Sequence, residues 1–200
     1  MAVPPLAPSG PGALPGHPDK PALREALRTR RAALFAALGD GARAAEEAAA
    51  DHLLPHIPAG AIVALYLKIQ DEIDPEPLID SLHARGQRMA LPHLADRTTM
   101  AFRVWTPGDP LERGPMRLRQ PLPDSPEIAP DIIVTPLLGF DRTGGRIGQG
   151  ASHYDRAFDR FPGARRLGYA WSVQEVTDVP HDPWDIALHA IVTEREFIPV

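Results

Sequence analysis

The segment RIGQGASHYDR, Arg146 to Arg156, carries the residue types that handle phosphate. Gly148 and Gly150 precede a predicted helix start near Ser152. Glycine lets backbone N–H groups approach an anion with no Cβ in the way, and the free N–H groups of a helix start point at the same place. Arg146 and Arg156 add fixed charge and paired donors that match phosphate oxygens. Asp155 is the discordant residue. A carboxylate there repels phosphate unless a cation bridges the two, as Mg²⁺ does when it takes one or two carboxylates plus phosphate oxygens. Two named loops are excluded. The dinucleotide fingerprint wants a small residue where His153 stands and glycines directly after a strand, whereas LLGFDRTGGRI intervenes; the P-loop needs a Gly-Lys-Ser/Thr tripeptide that the chain lacks. An ordinary glycine-rich turn is the plainer reading of the two glycines taken alone.

Two further groupings could do chemistry. Lys20 and Arg24 share one face at the start of a predicted helix. Cations there oppose the helix dipole, which makes sense beside an anion; the competing reading is a solvated basic face, because Arg28 and Arg31 continue the stripe. The run Tyr66-Leu67 to Asp74, with Gln70-Asp71-Glu72 at its centre, follows a predicted parallel strand. Open α/β sheets bind ligands at that edge, and a carboxylate there could hold the N–H groups of a heterocycle. A solvated acidic turn explains the same residues equally well. His52 and His56 have helical spacing, but Pro55 separates them and no third ligand accompanies them, so they read as surface residues rather than a zinc pair. No nucleophile elbow is visible.

These groups need elements to position them. Lys20 to Leu38 places Leu23, Leu27, Leu34 and Leu38 on one helical face, interrupted by arginine. Pro21 suits the first helical turn. A second helix follows over about Gly41 to Leu54 and ends at Pro55. Ala61 to Leu67, Arg88 to His93, Ala101 to Trp105, Asp131 to Thr135, Arg166 to Trp171 and Ala190 to Thr193 read as strands. Helices are expected over Pro75 to Arg85, stopped by Gly86, and over His153 to Phe161. Glu112 to Pro130 is proline-rich and reads as a surface loop. Strands that alternate with helices and are apolar throughout specify a parallel sheet covered on both faces. The fold class is therefore α/β, a three-layer α/β/α sandwich with a mostly parallel sheet, in a single domain over residues 19–200.

The bulk numbers bound the rest. Two hundred residues suit one domain. Residues 1–18 are Pro/Gly-rich with almost no charge and read as a disordered tail. With no cysteine, disulfides, thiolate metal sites and cysteine nucleophiles are excluded. The net charge of −5 argues against a general nucleic-acid binder. No window supplies the roughly 18 apolar residues of a membrane helix, and no secretory signal is recognisable. A cytoplasmic, monomeric protein without nucleic-acid or membrane partners is the expectation.

The groupings together resemble the 5-formyltetrahydrofolate cyclo-ligase (methenyltetrahydrofolate synthetase) family, from about Lys20 to Glu194. The strongest stretch is Pro136 to Arg156, PLLGFDRTGGRIGQGASHYDR, against P-G-L-(A/G)-F-D-x-x-G-x-R-(L/I)-G-x-G-x-G-Y-Y-D-R. Lys20-Pro-Ala-Leu-Arg24 resembles the N-terminal K-x-x-L-R, Leu67 to Asp74 the substrate-side segment, Phe102 to Gly108 an F-R-x-(W/Y)-x-P-G motif, and Ile191 to Glu194 the ending. The resemblance implies a MgATP-dependent conversion of 5-formyltetrahydrofolate to 5,10-methenyltetrahydrofolate with release of ADP and phosphate, the formyl oxygen being phosphorylated first. It implies ATP binding by Lys20, Arg24 and the cradle Arg146, Ile147, Gly148, Gln149, Gly150, Ala151, Ser152, His153 and Tyr154, with Arg146 and Tyr154 catalytic. Glu72 would grip the pterin, Leu67 would line its pocket, and Asp155 and Asp185 would hold Mg²⁺. Ser152 stands where the family has glycine and His153 where it has tyrosine. Near the end Asp185 keeps the first aspartate of H-D-x-x-(V/L)-D, while Trp184 and His189 depart; His181-Asp182 lies three residues too early to be that motif. These departures keep a second function class open, a non-catalytic folate- or nucleotide-binding paralogue. Nucleic-acid binding by the Arg24–Arg31 helix is a third, weaker one.

Overall fold

A computed structural model of the chain describes residues 19–96, 98–115 and 118–200. The stretch 1–18, expected to be disordered, lies outside them. Helices α1 (Lys20–Leu38), α2 (Ala42–Leu53), α3 (Glu76–Ala84) and α4 (His153–Arg160) surround a seven-stranded sheet. Its strands are β1 (Val63–Ala64), β2 (Met89–Leu94), β3 (Met100–Val104), β6 (Ile132–Pro136), β9 (Arg165–Tyr169), β10 (Ala190–Val192) and β11 (Phe197–Pro199), in the order β11-β10-β9-β6-β1-β2-β3. The inner five strands are parallel, and the edge strands β3 and β11 pair antiparallel.

The apolar strands are explained by burial on both faces. In β6, Ile132 and Val134 join Leu53, Leu78 and Leu82 of α2 and α3 in one cluster, while Ile133 between them joins Phe158 of α4 in the other. The sheet is thus the middle layer of three. α1 belongs to two clusters. Its second half offers Leu34, Phe35 and Leu38 to the main core, and Leu27 packs with Leu138, Ile147 and Val179. A Cβ on Gly139 would lie 2.4 Å from a Leu27 methyl, so the close approach of α1 to this loop needs glycine there.

The chain leaves β1 for β2 through α3 on one face, and leaves β6 for β9 through α4 on the other. Since β1 and β6 are neighbours, the order reverses between them, and the switch point falls at their carboxyl ends. Ligands of doubly wound sheets bind at that place.

The structure differs from expectation in four short regions, one of them the unexpected edge strand β11. The strand expected over 61–67 pairs only at Val63–Ala64, although Leu65 N still donates to Ala90 O at 2.9 Å. The supposed loop 112–130 contains a hairpin of β4 (Leu111–Arg113) and β5 (Arg119–Pro121). Buried Gln120 fastens it to β2, accepting from Leu94 N at 3.0 Å. Between β6 and α4, β7 (Gly139–Phe140) pairs with β8 (Arg146–Ile147), and the glycine loop follows directly on β8.

Candidate active site

The basic stripe of α1 is the spine of the site. Lys20, 4% exposed, donates from Nζ to Asp182 Oδ2 at 2.6 Å and to Asp185. One turn on, Arg24 Nε donates to Gly148 O at 2.9 Å. Arg28 Nη2 donates to the Gln149 side-chain oxygen at 3.1 Å, and Arg31 Nη2 to Asp71 Oδ1 at 2.8 Å. Successive turns of one helix therefore dock on the segment before β10, on the glycine loop and on the loop after β1. The stripe is not the solvated face its spacing suggests, because its hydrogen-bond partners come from distant segments.

Asp141 shapes the loop that carries Arg146. Its carboxylate accepts from Thr143 N and Oγ1, Gly145 N and Val179 N. Burial alone raises this carboxyl; the hydrogen bonds from Thr143, Val179 and Gly145 outweigh burial and hold it below the usual carboxylate range. Arg146 lies over the Phe158 ring at 4.9 Å and pairs with Asp155 Oδ1 at 2.5 Å. Its Nε is buried without a hydrogen-bond partner among the described residues. A Cβ on Gly148 would meet only the Arg146 guanidinium, at 3.5 Å, and on Gly150 only that of Arg24, at 3.6 Å or more. The two glycines thus present open backbone beside two cations. Gly150 has φ +105° and Ser152 φ +51°, so the serine occupies a left-handed conformation at the foot of α4.

The loop after β1 is more enclosed. Glu72 is 6% exposed and accepts from Ile69 N at 3.1 Å. Burial pushes its carboxyl up to about 6, against the Ile69 N–H, the Arg31 guanidinium and the Gln149 amide, while Asp71 reinforces the rise. Three bonds hold the loop: Tyr66 OH to Ile73 O at 2.6 Å, Trp171 Nε1 to Asp71 O at 3.0 Å, and Asp74 N to Glu46 Oε1 at 3.2 Å. Tyr154 is half-buried, and desolvation raises its hydroxyl well above the ordinary tyrosine value, so it stays a proton-bearing donor at neutral pH.

Most residues named from sequence therefore converge: Lys20, Arg24, Arg146, Gly148, Gln149, Asp155 and Asp185 on one side, Glu72 with half-buried Leu67 on the other. Ile186 N, next to Asp185, reaches Asp155 Oδ1 at 3.5 Å, which joins the two aspartates' segments. Several residues read from sequence have partners within the fold. Ile147 turns its side chain into the core and gives its carbonyl to Leu138 N at 2.7 Å, so it frames the cradle without offering either group to a ligand. Arg156 uses Nε and Nη2 on Thr98 O and Ala151 O, which braces the loop. Asp182, set aside on spacing, shares Lys20 with Asp185 and donates its N–H to Asp185 Oδ2 at 2.8 Å. Arg31 is 2% exposed, and Asp71–Glu72 is no solvated turn. His52 is partly buried and bonded to Thr193 O at 3.0 Å, whereas His56 stacks on Phe197. His189 binds Arg166 N at 3.0 Å, a structural contact.

Sequence reasoning missed the braces: Asp141, Gln174, which joins Trp171 N to Leu137 O, and Glu194, which accepts from Ser172 N at 2.8 Å. Asp141 and Glu194 sit in quoted motifs and Gln174 in none, and each has partners remote in sequence or in another motif. The donor chemistry suits a hard divalent cation with phosphates, because Asp155 and Asp185 offer carboxylate oxygens next to a buried, under-bonded Arg146 and open glycine backbone. Asp141, Asp178 and His181 bring ligand atoms within 4.8 Å of one another, but both Asp141 oxygens already serve the loop.

These features define a doubly wound α/β protein with its candidate site at the sheet's switch point. The profile of the 5-formyltetrahydrofolate cyclo-ligase family matches residues 17–194. The chain is 32% identical over 147 residues to the Escherichia coli K12 5-formyltetrahydrofolate cyclo-ligase, covering 70% of this chain and 81% of that one. It superposes on the NMR structure of Aquifex aeolicus 5,10-methenyltetrahydrofolate synthetase with TM-score 0.78 and 27% identity, over 90% of this chain and 92% of that one. The Mycoplasma pneumoniae synthetase, at 23% identity and TM-score 0.70 over 88% of this chain and 99% of that one, shares the fold. The chain belongs to the 5-formyltetrahydrofolate cyclo-ligase family and is an enzyme of the ligase class. Among the described residues no helix is long and apolar enough to cross a membrane.

Proposed function

We propose that the protein closes 5-formyltetrahydrofolate to 5,10-methenyltetrahydrofolate at the expense of ATP, releasing ADP and phosphate. One observation carries this reading beyond family membership: the cations of α1 dock at successive turns on the glycine loop and on the loop holding Glu72. A nucleotide cradle and a heterocycle-gripping carboxylate thereby share one crevice.

The chemistry fits such a site. An amide oxygen is a poor leaving group and a phosphorylated one is good. The formyl oxygen attacks the γ-phosphorus and the bond to ADP breaks. The neighbouring folate nitrogen then attacks the formyl carbon, loses its proton, and the carbon–oxygen bond breaks to release phosphate. Such transfers ask the protein for positioning and charge stabilisation. Lys20, Arg24 and Arg146 hold phosphate oxygens, with the backbone of Gly148 to His153 as cradle. Tyr154 donates a hydrogen bond from its protonated hydroxyl. Glu72 accepts N–H groups of the pterin, and Leu67 lines the ring's apolar edge. Asp155 and Asp185 would hold Mg²⁺, which when bound offsets phosphate charge.

The test is the absorbance of the methenyl product from purified protein with 5-formyltetrahydrofolate and MgATP. Product is expected with ATP and none without it; folded protein that binds ATP yet forms no product rejects the reading. The left-handed Ser152 favours one rival, a non-catalytic paralogue, in which turnover appears only after Ser152→Gly and His153→Tyr.

A further inference from the structure

Three of the α1 cations face the nucleotide side, and Arg31 does not. It is 2% exposed and donates one nitrogen, Nη2, to Asp71 Oδ1 at 2.8 Å. Nη1 lies 3.9 Å from Glu72 Oε1, an ion pair without a hydrogen bond. Nε and Nη1 have no hydrogen-bond partner among the described residues. Burying a guanidinium that cannot shed its proton is costly. The position continues the apolar side of α1 between Leu27 and Leu34, where a methionine would fill the space at less cost.

What repays that cost is the charge of its neighbours. Asp71 and Glu72 are adjacent carboxylates, and Glu72 is enclosed. Two anions there repel, and the pair could relieve the repulsion by protonating Glu72. One fixed cation leaves the set with a single negative charge. The groups that face Glu72 are Arg31 from α1, Asp71 and the Ile69 N–H from its own loop, and the Gln149 amide from the glycine loop. The hydroxyls of Tyr66, beyond β1, and of Tyr154, on α4, also feel its charge. Arg31 is the cation among them.

We infer that Arg31 is a positioning residue for Glu72: it absorbs the charge of Asp71 and keeps the Glu72 carboxylate ionised and in place for the N–H donors of the folate heterocycle. The inference rests on the function proposed above, so its test needs a readout that survives the failure of that function. The Glu72 carboxyl is followed by NMR pH titration with ¹³C-labelled glutamate, assigned with Glu72→Gln, in the full chain and in folded Arg31→Met and Asp71→Asn. Arg31→Met moves the Glu72 midpoint up and Asp71→Asn moves it down, because one variant removes the attraction and the other the repulsion. A role confined to packing moves neither midpoint. In turnover assays Arg31→Met raises KM for 5-formyltetrahydrofolate about tenfold or more at pH 7, a loss that shrinks as pH rises, and leaves KM for ATP unchanged. An unmoved midpoint in folded Arg31→Met overturns the inference whether or not the enzyme turns over. If Arg31→Met does not fold, an unmoved midpoint in Asp71→Asn overturns it. Absence of methenyl product from the unmodified chain overturns the functional reading alone, with the titrations still deciding the role of Arg31.

Discussion

The two sides of the crevice are built on different principles. On the proposed nucleotide side the most enclosed charges already have opposite partners, Lys20 between Asp182 and Asp185 and Arg146 with Asp155, while Arg24 is spent on the Gly148 carbonyl. On the proposed folate side the carboxylate Glu72 is enclosed with its cation at arm's length, in a loop braced by Tyr66 and Trp171. The first side must exchange partners when a ligand arrives, and the second is preset. MgATP suits such an exchange because it brings both signs together. In the proposed reaction phosphates would take Lys20 and Arg146 while the metal would take the carboxylates, so that no buried charge would be left alone, the costly outcome. A heterocycle brings no such exchange, and its site must be prepared beforehand. Each side carries one left-handed non-glycine residue, Gln70 at φ +54° and Ser152 at φ +51°, the kind of strain that collects at functional sites.

This division is tested most severely at Arg146. Arg146→Met leaves Asp155 without its partner and removes a cation from the proposed phosphate cradle. The expected loss in kcat is about 10²- to 10³-fold, the usual effect of deleting one charge-stabilising donor, with KM for folate little changed. A variant that loses folate affinity and keeps kcat would dissolve the distinction between the sides.

Glu72→Gln comes next and should act in the opposite sense. It removes charge-assisted acceptors, so KM for folate rises about 10- to 100-fold while KM for ATP holds. In the unmodified enzyme folate binding strengthens as pH rises through about 6, where burial has placed the Glu72 carboxyl, and in Glu72→Gln that step is gone. The stability effect has a worked sign. Folding raises this carboxyl, so the folded state is favoured when the group is protonated, and that advantage is lost as pH rises through about 6. Above that pH the ionised group is a cost to the fold, and Glu72→Gln should melt at a higher temperature at pH 7.5 than the natural chain. A lower melting temperature would mean that Glu72 braces its loop rather than waiting for a ligand.

How far these sides were legible in sequence follows the same division. The glycine loop could be read because its chemistry is local: Arg146, Gly148, Gly150 and Asp155 are near neighbours in the chain. The sheet could be read because strands buried on both faces are apolar throughout. Arg31 could not, since basic residues at helical spacing look solvated until the remote Asp71 is placed beside them. Asp182 failed for the converse reason, a correct motif spacing that said nothing of Lys20 reaching across the chain. The hairpins β4–β5 and β7–β8 have strands of two or three residues, too short for alternation to register. Asp141 was visible within its motif, but a staple and a ligand look alike until the donors to its oxygens are known.

The smallest expected effect is also the one that bears on the rival reading. Ser152 caps α4 in the left-handed region, and its side chain makes no capping hydrogen bond. The hydroxyl therefore does not repay the conformation, which costs a non-glycine residue about 1 kcal/mol. Ser152→Gly removes that strain but gives part of it back through a more flexible unfolded chain. The net gain should be a few tenths of a kcal/mol, a melting temperature about 1–2 °C higher, with kcat and KM for ATP unchanged. A rise in KM for ATP would show that the serine hydroxyl has become a phosphate donor, so that the strain serves the nucleotide side. Activity that appears only in Ser152→Gly/His153→Tyr would mean that the natural loop no longer makes the exchange on which the nucleotide side depends. The crevice would then keep a preset folate side opposite a nucleotide side that has stopped working.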